Sequence, residues 1–309
     1  MFHGLLLIDK PSGLTSHDVV NRIRHIFNTR EVGHAGTLDP MASGLLVVLM
    51  GEATKISDFV LNENKSYQMR VRLGVRTDTM DLTGQVLSHE EVRQSADKIR
   101  ETARSLVGTF MWTVPAYSAA KVNGQKLYQM ARTQTPVELP VKEMTFWNLE
   151  ISEVSQQGIE AHVECSKGSY IRRWASELGE RLGCGATLES LRRTTCEPYR
   201  LTEALALEEV EKVVGNLSAP CGAIVPLRQT LSTWRAISVR GRDERLVQNG
   251  QVPVELDRRL LPEKRQATQS NQAIGVKILS AETGEMLALL QAQPHQGLKI
   301  CRVFKCDRA

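Results

Sequence analysis

The run GHAGTLDP at residues 33–40 sets a carboxylate, Asp39, between a leucine and a proline, with the imidazole of His34 upstream in the same run. A carboxylate on a glycine-rich loop can attack an electron-poor carbon or take a proton. The same dipeptide can also do no more than open a turn, as Asp-Pro often does. Tyr67, in SYQMRVRL, can stack on a planar ligand or fill a core; Arg172, which follows Tyr170 at the start of a helical pattern, can hold an anion or face solvent. Asp78 and Asp81 in RTDTMDLTG (76–84) offer further carboxylates, and either one with Asp39 would make the acid pair of a base-excising glycosidase. Each residue alone has an ordinary structural explanation.

The elements that must carry these groups are legible from periodicity. Gly4–Asp9 reads as a short apolar strand stopped by Pro11 and Gly13, and Thr15 or Ser16 then caps a helix whose stripe is Val19, Val20, Ile23 and Phe27. Residues 30–44 break that pattern and read as a loop before a second buried strand, Leu45–Met50. Loops fixed between core elements are where functional groups collect. Ser66–Leu73 alternates, with Tyr67, Met69, Val71 and Leu73 on one face. Helices are expected near 91–107, from about Tyr170 to Gly183, and near 203–214; strands are expected near 142–154, 158–166 and 186–194.

Residues 112–140 read as an excursion from the main sheet. They hold Pro115, Gly124, Pro136 and Pro140 around a short helical stretch, and they carry Lys121, Lys126 and Arg132 with no acidic residue before Glu138. After Pro226 the pattern turns to short strands, Ala236–Val239, Ile274–Leu279, Met286–Gln291 and Leu298–Phe304, with 255–273 polar enough for a mobile loop. The mix lacks a regular βαβ alternation, so the expected class is α+β, with one domain over 1–228 and a small β-rich second domain over 229–309.

The 309 residues are 41% hydrophobic and 24% charged, ordinary for a globular protein, and a net charge of +4 is compatible with a polyanionic partner without requiring one. The six cysteines show no CxxC pair and no zinc spacing, which reads as reduced thiols in the cytoplasm; no metal site is expected. No apolar stretch approaches the ~20 residues of a membrane span, and the amino-terminal run is too short for a signal peptide.

Six segments, KPSGLTSHDVV (10–20), GHAGTLDPMASGLL (33–46), RLGVRTDTMDLTG (72–84), PAYSAAKVNGQKLYQMAR (115–132), CSKGSYIRRWASELG (165–179) and LRRT (191–194), occur in that order. Together they resemble the TruB family of tRNA pseudouridine synthases, which isomerise uridine 55 in the T-loop of tRNA. The resemblance is close over 1–227. It implies a pseudouridine synthase fold, with a mixed, mostly antiparallel central sheet flanked by helices, and beyond it a PUA-like RNA-binding domain. It makes Asp39 the essential aspartate and His34 the residue that enters the T-loop. Tyr67 becomes the tyrosine that stacks on the target base, Tyr170 and Arg172 the pair of the KGxYIR motif, and Leu191 a pocket-lining leucine. Lys10 and Pro11 would brace the site loop, and Asp81 falls near the site in a role the resemblance leaves open.

The implied reaction breaks the N1–C1′ bond and makes a C5–C1′ bond without redox change or added water, so it calls for no cofactor. Arg172 beside Asp39 would keep an enclosed carboxylate ionised. The excursion at 112–140 fits an arm that closes over RNA, with Lys121, Lys126 and Arg132 on phosphates. A stand-alone, monomeric enzyme acting without guide RNA is expected, because guide-directed relatives lack the RLGxxTDTxDxxG segment and the full PAYSA insertion. An RNA chaperone with a vestigial site is the reading from another class.

Overall fold

In Gly4–Lys10 (β1) and Ser43–Met50 (β3) almost every side chain is buried, the pattern of strands covered on both faces. They pair antiparallel from Gly4 opposite Met50 to Lys10 opposite Gly44. Alternation divides their side chains between two cores. Leu6, Ile8, Leu46 and Val48 face the first, and Leu5, Leu7, Leu45, Val47 and Leu49 face the second.

The computed structural model describes residues 2–61, 64–133, 135–213 and 222–305. Between the two central strands come helix α1 (Ser16–Ile26) and strand β2 (Val32–Ala35). Next are α2 (Ser57–Leu61), β4 (Lys65–Leu73), β5 (Val75–Thr77), β6 (Val86–His89), α3 (Ala96–Arg104) and β7 (Gly108–Thr113). The hairpin β8 (Lys121–Val122) and β9 (Gln125–Lys126) runs into α4 (Leu127–Arg132). The long strands β10 (Val141–Val154) and β11 (Gly158–Cys165) lead to α5 (Ile171–Leu182) and β12 (Ala186–Cys196). Short pieces follow: β13 (Tyr199–Arg200), β14 (Leu205–Ala206), α6 (Val210–Val213) and β15 (Ile224–Pro226). The chain ends with β16 (Arg235–Val239), α7 (Arg242–Gln248), α8 (Val254–Arg259), α9 (Leu261–Ser270), β17 (Ile274–Ser280), β18 (Met286–Gln293) and β19 (Gly297–Val303).

The main sheet runs β14–β1–β3–β12–β4–β11–β10–β7, with β2 on β3, β13 on β12 and β15 on β1. Only β1 with β14 and β3 with β12 are parallel, so the sheet is mixed and mostly antiparallel. A smaller sheet, β16–β17–β18–β19, sends Met286 and Leu289 into the second core, where Phe304 joins them. Polar contacts fasten the same junction: Arg302 Nε donates to the Lys55 carbonyl at 2.8 Å, and Lys305 N to Glu52 Oε2 at 2.7 Å. The α+β class with a small C-terminal β-rich sheet is what the chain adopts.

Four expectations need correction. The segment 30–44 is not all loop, because Val32–Ala35 pairs with β3 along Met50–Val47 and buries Val32 and Ala35. The helix expected over 203–214 is broken: Leu205 and Ala206 pair with the open edge of β1, leaving 3-10 turns on either side and α6 beyond; residue 214 lies outside the described residues. The polar stretch 255–273 is largely helical. Pro262 starts α9 in a position where its missing N–H costs nothing, Leu256, Leu260 and Ala267 are buried, and Glu263 pairs with Arg235. The helix expected over 91–107 is confined to Ala96–Arg104, started by the Ser95 cap.

Candidate active site

The loop bearing Asp39 is held from below by the start of α1. Thr15 caps that helix through a reciprocal pair with Asp18. Ser16 Oγ then donates to the Leu38 carbonyl at 3.1 Å and accepts from Leu38 N at 2.9 Å. Gly13 N donates to the Pro40 carbonyl at 2.8 Å, and Ser12 Oγ to Met41 at 2.9 Å. Lys10 is fully buried beneath this turn, its Nζ donating to the carbonyls of Pro11 and Leu14 at 2.9 and 2.7 Å. Burial, with Arg193 adding to it, lowers the Lys10 pKa to about 8. Ala42 N closes the Asp-Pro turn on the Asp39 carbonyl at 3.0 Å.

Helix α5 delivers the guanidinium. Its stripe, Ile171, Trp174, Leu178 and Leu182, is buried, and Gly183 ends it in a left-handed conformation at φ 74°. Arg172, in the first turn, is turned inward: Nε lies 2.9 Å from Asp39 Oδ2, and Nη2 donates to Oδ1 at 3.3 Å. The other side of the fork is occupied as well. Nη1 donates to the Thr79 carbonyl at 2.9 Å and lies 3.6 Å from Asp81 Oδ2, while Nη2 donates to the Tyr117 carbonyl at 2.7 Å. Asp81 is itself fixed, its Oδ1 accepting from Thr79 Oγ1 at 2.8 Å and Thr83 N at 3.0 Å.

Asp39, Arg172 and Asp81 therefore form one chain of charges that leaves the Asp39 carboxylate the only partly exposed member, at 33% of its side chain. Burial raises the Asp39 pKa above the ordinary carboxylate value; Arg172 opposes the rise and Asp81 adds to it.

Tyr67 projects from β4 beside Arg193 of β12, its register partner, and the Arg193 guanidinium lies 5.9 Å from the ring centroid. Burial raises the phenol pKa, with Arg193 the main opposing charge. His34 comes from β2; its Nδ1 is buried without a hydrogen bond, and burial followed by the Arg193 charge lowers its pKa. Lys126 also contributes to that lowering, which brings β9 of the excursion into the neighbourhood of His34. Leu191 packs in the first core opposite Met69. Tyr170 is half-buried and its pKa is raised by burial.

The excursion leaves the sheet at Val114, whose N–H donates to the Pro140 carbonyl at 2.9 Å. Within it, Lys126 Nζ and the Arg132 guanidinium both lie over the Tyr128 ring, at 5.6 and 5.8 Å, and Lys121 pairs with Lys126 across the hairpin. The structure thus brings Lys10, His34, Asp39, Tyr67, Tyr170, Arg172 and Asp81 around one loop, and leaves Lys121 and Arg132 out on the excursion.

Two contributors escaped the sequence reading. Arg193 was available from it, because alternation along LRRT puts Arg193 on the face of Leu191 and turns Arg192 away to Asp9 at 2.6 Å. Tyr117 was not, because its contact with Arg172 runs through a backbone carbonyl. A cleft of about 970 Å³ on the other face of the sheet, lined by Ser66, Gln68, Arg192, Tyr199 and Leu231, holds none of the site residues. Among the described residues no group of three or more His, Cys, Asp or Glu side chains is placed to hold a metal ion, and no helix is long and apolar enough to cross a membrane. Cys165, Cys184, Cys196 and Cys301 are free thiols; Cys221 and Cys306 lie outside the described residues.

Solved structures share this architecture. A chain of an H/ACA ribonucleoprotein bound to a substrate RNA matches with a TM-score of 0.66 at 20% identity, over 98% of this chain and 86% of that one. A chain of an archaeal box H/ACA complex gives 0.65 at 21%, over 98% and 86%. The fold is that of the pseudouridine synthases, isomerases of RNA uridine. The family models described as TruB family pseudouridylate synthase (N terminal domain) and tRNA pseudouridylate synthase B C-terminal domain match residues 24–171 and 172–232. The tRNA pseudouridine synthase B of Bdellovibrio bacteriovorus is 44% identical over 98% of this chain and 97% of its own, and that of Bacillus licheniformis is 40% identical over 82% and 84%. The chain belongs to the TruB family of pseudouridylate synthases.

Proposed function

We propose that the protein isomerises uridine 55 in the T-loop of tRNA to pseudouridine, with Asp39 as the reacting carboxylate and without a guide RNA. The observation that carries the reading is the Asp39–Arg172 contact, made through two nitrogens at the root of a basic excursion. The relatives named tRNA pseudouridine synthase B support tRNA as the substrate.

In this reading the target nucleotide is extruded from its stack, at a cost of a few kcal/mol. Stacking on Tyr67 returns about 1–3 kcal/mol, and His34 takes up the vacated space. Asp39 attacks the nucleotide or removes a sugar proton as C1′–N1 breaks. The base turns and C5 bonds to C1′ as the Asp39 bond to the nucleotide breaks or the sugar proton returns from Asp39; C5 then gives up its proton and N1 gains one, so the atoms of the product equal those of the substrate. Tyr170 and Leu191 line the pocket, Lys10 and Pro11 brace the loop, and Lys121, Lys126 and Arg132 neutralise phosphates. The division at 228/229, a PUA-like role for the C-terminal sheet in gripping RNA, a monomeric state and a cytoplasmic setting belong to the same proposal.

Tritium release from tRNA carrying 5-³H-uridine, with the modified position mapped, tests it. The wild type should release tritium at position 55 without added RNA, and Asp39→Asn should release none. Free uracil among the products would instead indicate a glycosidase, and dependence on a second RNA a guide-directed enzyme.

A further inference from the structure

Arg193 is 1% exposed, yet it has no carboxylate partner among the described residues. Its Nη1 and Nη2 donate only to the Gly36 carbonyl, at 3.3 and 3.1 Å, and its buried Nε donates to nothing. A buried cation left in that state is costly, and it persists where something else needs the charge.

Two features say what needs it. The first is the loop. Gly36 sits at φ 83°, and a Cβ there would lie 2.9 Å from Arg193 Nη1. Gly44 sits at φ 99°, and a Cβ there would lie 2.3 Å from the Arg193 carbonyl oxygen. Arg193 therefore holds the segment 36–44, which carries Asp39, at both of its ends, with Gly44 as its register partner on β3. The second is the ring of Tyr67, which lies next to the guanidinium on the same face. The charge of Arg193 is felt at Lys10, His34, Asp39 and Tyr67 alike, which puts it at the centre of the cluster. Lys10, Arg172 and Arg193 thus gather about Asp39 and Asp81, with Asp18 also acting on Lys10; both Asp39 and Asp81 are held by Arg172, which leaves Arg193 without a carboxylate against it among the described residues.

We propose that Arg193 is a positioning residue for the isomerisation, which fixes the Asp39 loop and sets an unneutralised positive charge behind Tyr67 for a base that departs as an anion. The inference rests on the reading of Asp39 and Tyr67 given above. Whether Asp39 attacks the sugar or removes its proton, the C1′–N1 electron pair leaves with uracil N1 and spreads onto O2 and O4. A fixed cation in a dry site stabilises that charge without having to reorganise. When C5 bonds to C1′ the charge is discharged, and the proton lost from C5 is matched by the one gained at N1.

The experiment compares single-turnover cleavage of C1′–N1 in tRNA carrying uridine or 5-fluorouridine at the target. The fluorinated base leaves as a weaker base and depends less on outside stabilisation. Arg193→Gln should slow uridine turnover about 100-fold or more, and 5-fluorouridine turnover less than about 10-fold. Arg193→Lys, which keeps the charge, should fall between wild type and Arg193→Gln on uridine, and tRNA affinity should change little in either variant. Equal slowing on both bases in both variants would mean a structural clamp alone and would overturn the proposal, as would a loss confined to tRNA affinity. If Arg193→Gln does not fold, the two-base comparison in Arg193→Lys decides by the same criterion. The wild-type control keeps the two readings separate: inactivity there counts against the proposed function, whereas an active wild type with equal slowing on both bases counts only against Arg193.

Discussion

Arg172 grips Asp39 through Nε and Nη2, at 2.9 and 3.3 Å, while the same guanidinium accepts the restraint of Asp81, 3.6 Å from Nη1. The arginine is the bridge between a carboxylate that faces outward and one that is sealed in. The bridge also reaches the Tyr117 carbonyl at the root of the excursion, so the element that would fold over RNA touches the group that holds Asp39.

Removing the bridge should cost chemistry rather than binding. Breaking a buried ion pair by deleting one partner costs about 3–5 kcal/mol. If that loss falls on the reacting state, Arg172→Ala should slow single-turnover tritium release by roughly 150- to 5,000-fold. Filter binding of tRNA should change by a small factor. A variant that loses affinity and keeps its rate would contradict this role.

The acid side of the pH–rate profile should lie above the ordinary carboxylate value, because burial raises the Asp39 pKa. In the proposed reaction the ionised form of Asp39 reacts, so the rate should fall as pH drops through that raised pKa. Asp81 adds to the rise, so Asp81→Asn should move the acid limb to lower pH. Single-turnover rates measured across the limb in both proteins give the answer; an upward move in Asp81→Asn would reverse the sign argued here.

Tyr67→Phe keeps the stacking ring and removes the hydroxyl. If the phenol takes the C5 proton, glycosidic cleavage should proceed while a C5-protonated product accumulates on the tRNA, detectable by mass spectrometry after nuclease digestion. Normal turnover would assign that proton elsewhere.

Lys126 should act on phosphate. Its replacement by alanine should raise KM, leave kcat nearly unchanged and lower the steepness of the salt dependence by about one charge. Unchanged salt dependence would make β9 an ordinary basic surface.

Trp174 is fully buried in the first core, with Nε1 donating to the Leu106 carbonyl at 3.3 Å. Trp174→Ala should lower the stability of the chain by about 3–5 kcal/mol in urea titration. A loss confined to activity would show that α5 is held by other contacts.

The parts of the molecule legible in the sequence were those governed by local rules. Val19, Val20 and Ile23 fall at helical spacing and are buried; Tyr67, Met69 and Val71 alternate and share a face. The four C-terminal strands stand within a few residues of where short apolar runs put them. What escaped depended on partners distant in sequence. Leu205 and Ala206 become strand only because β1 offers an edge, and α9 is stabilised by Glu263 meeting Arg235. The site followed the same division. Asp39, Tyr67 and Arg172 stand out by motif, while Arg193 needs the strand face worked out and Tyr117 contributes an oxygen that every residue possesses.

The two central strands give each leucine of β1 a different address: Leu6 and Ile8 belong to the first core, Leu5 and Leu7 to the second, under the small terminal sheet. A chain truncated before Arg235 would therefore lose more than the sheet itself. It would strip Met286, Leu289 and Phe304 from over Leu5, Leu7 and Leu49, laying bare part of an oily slab behind the Asp39 loop. Such a fragment would be sticky before it was inactive, and the terminal sheet serves as the waterproofing of the wall on which Asp39 is mounted.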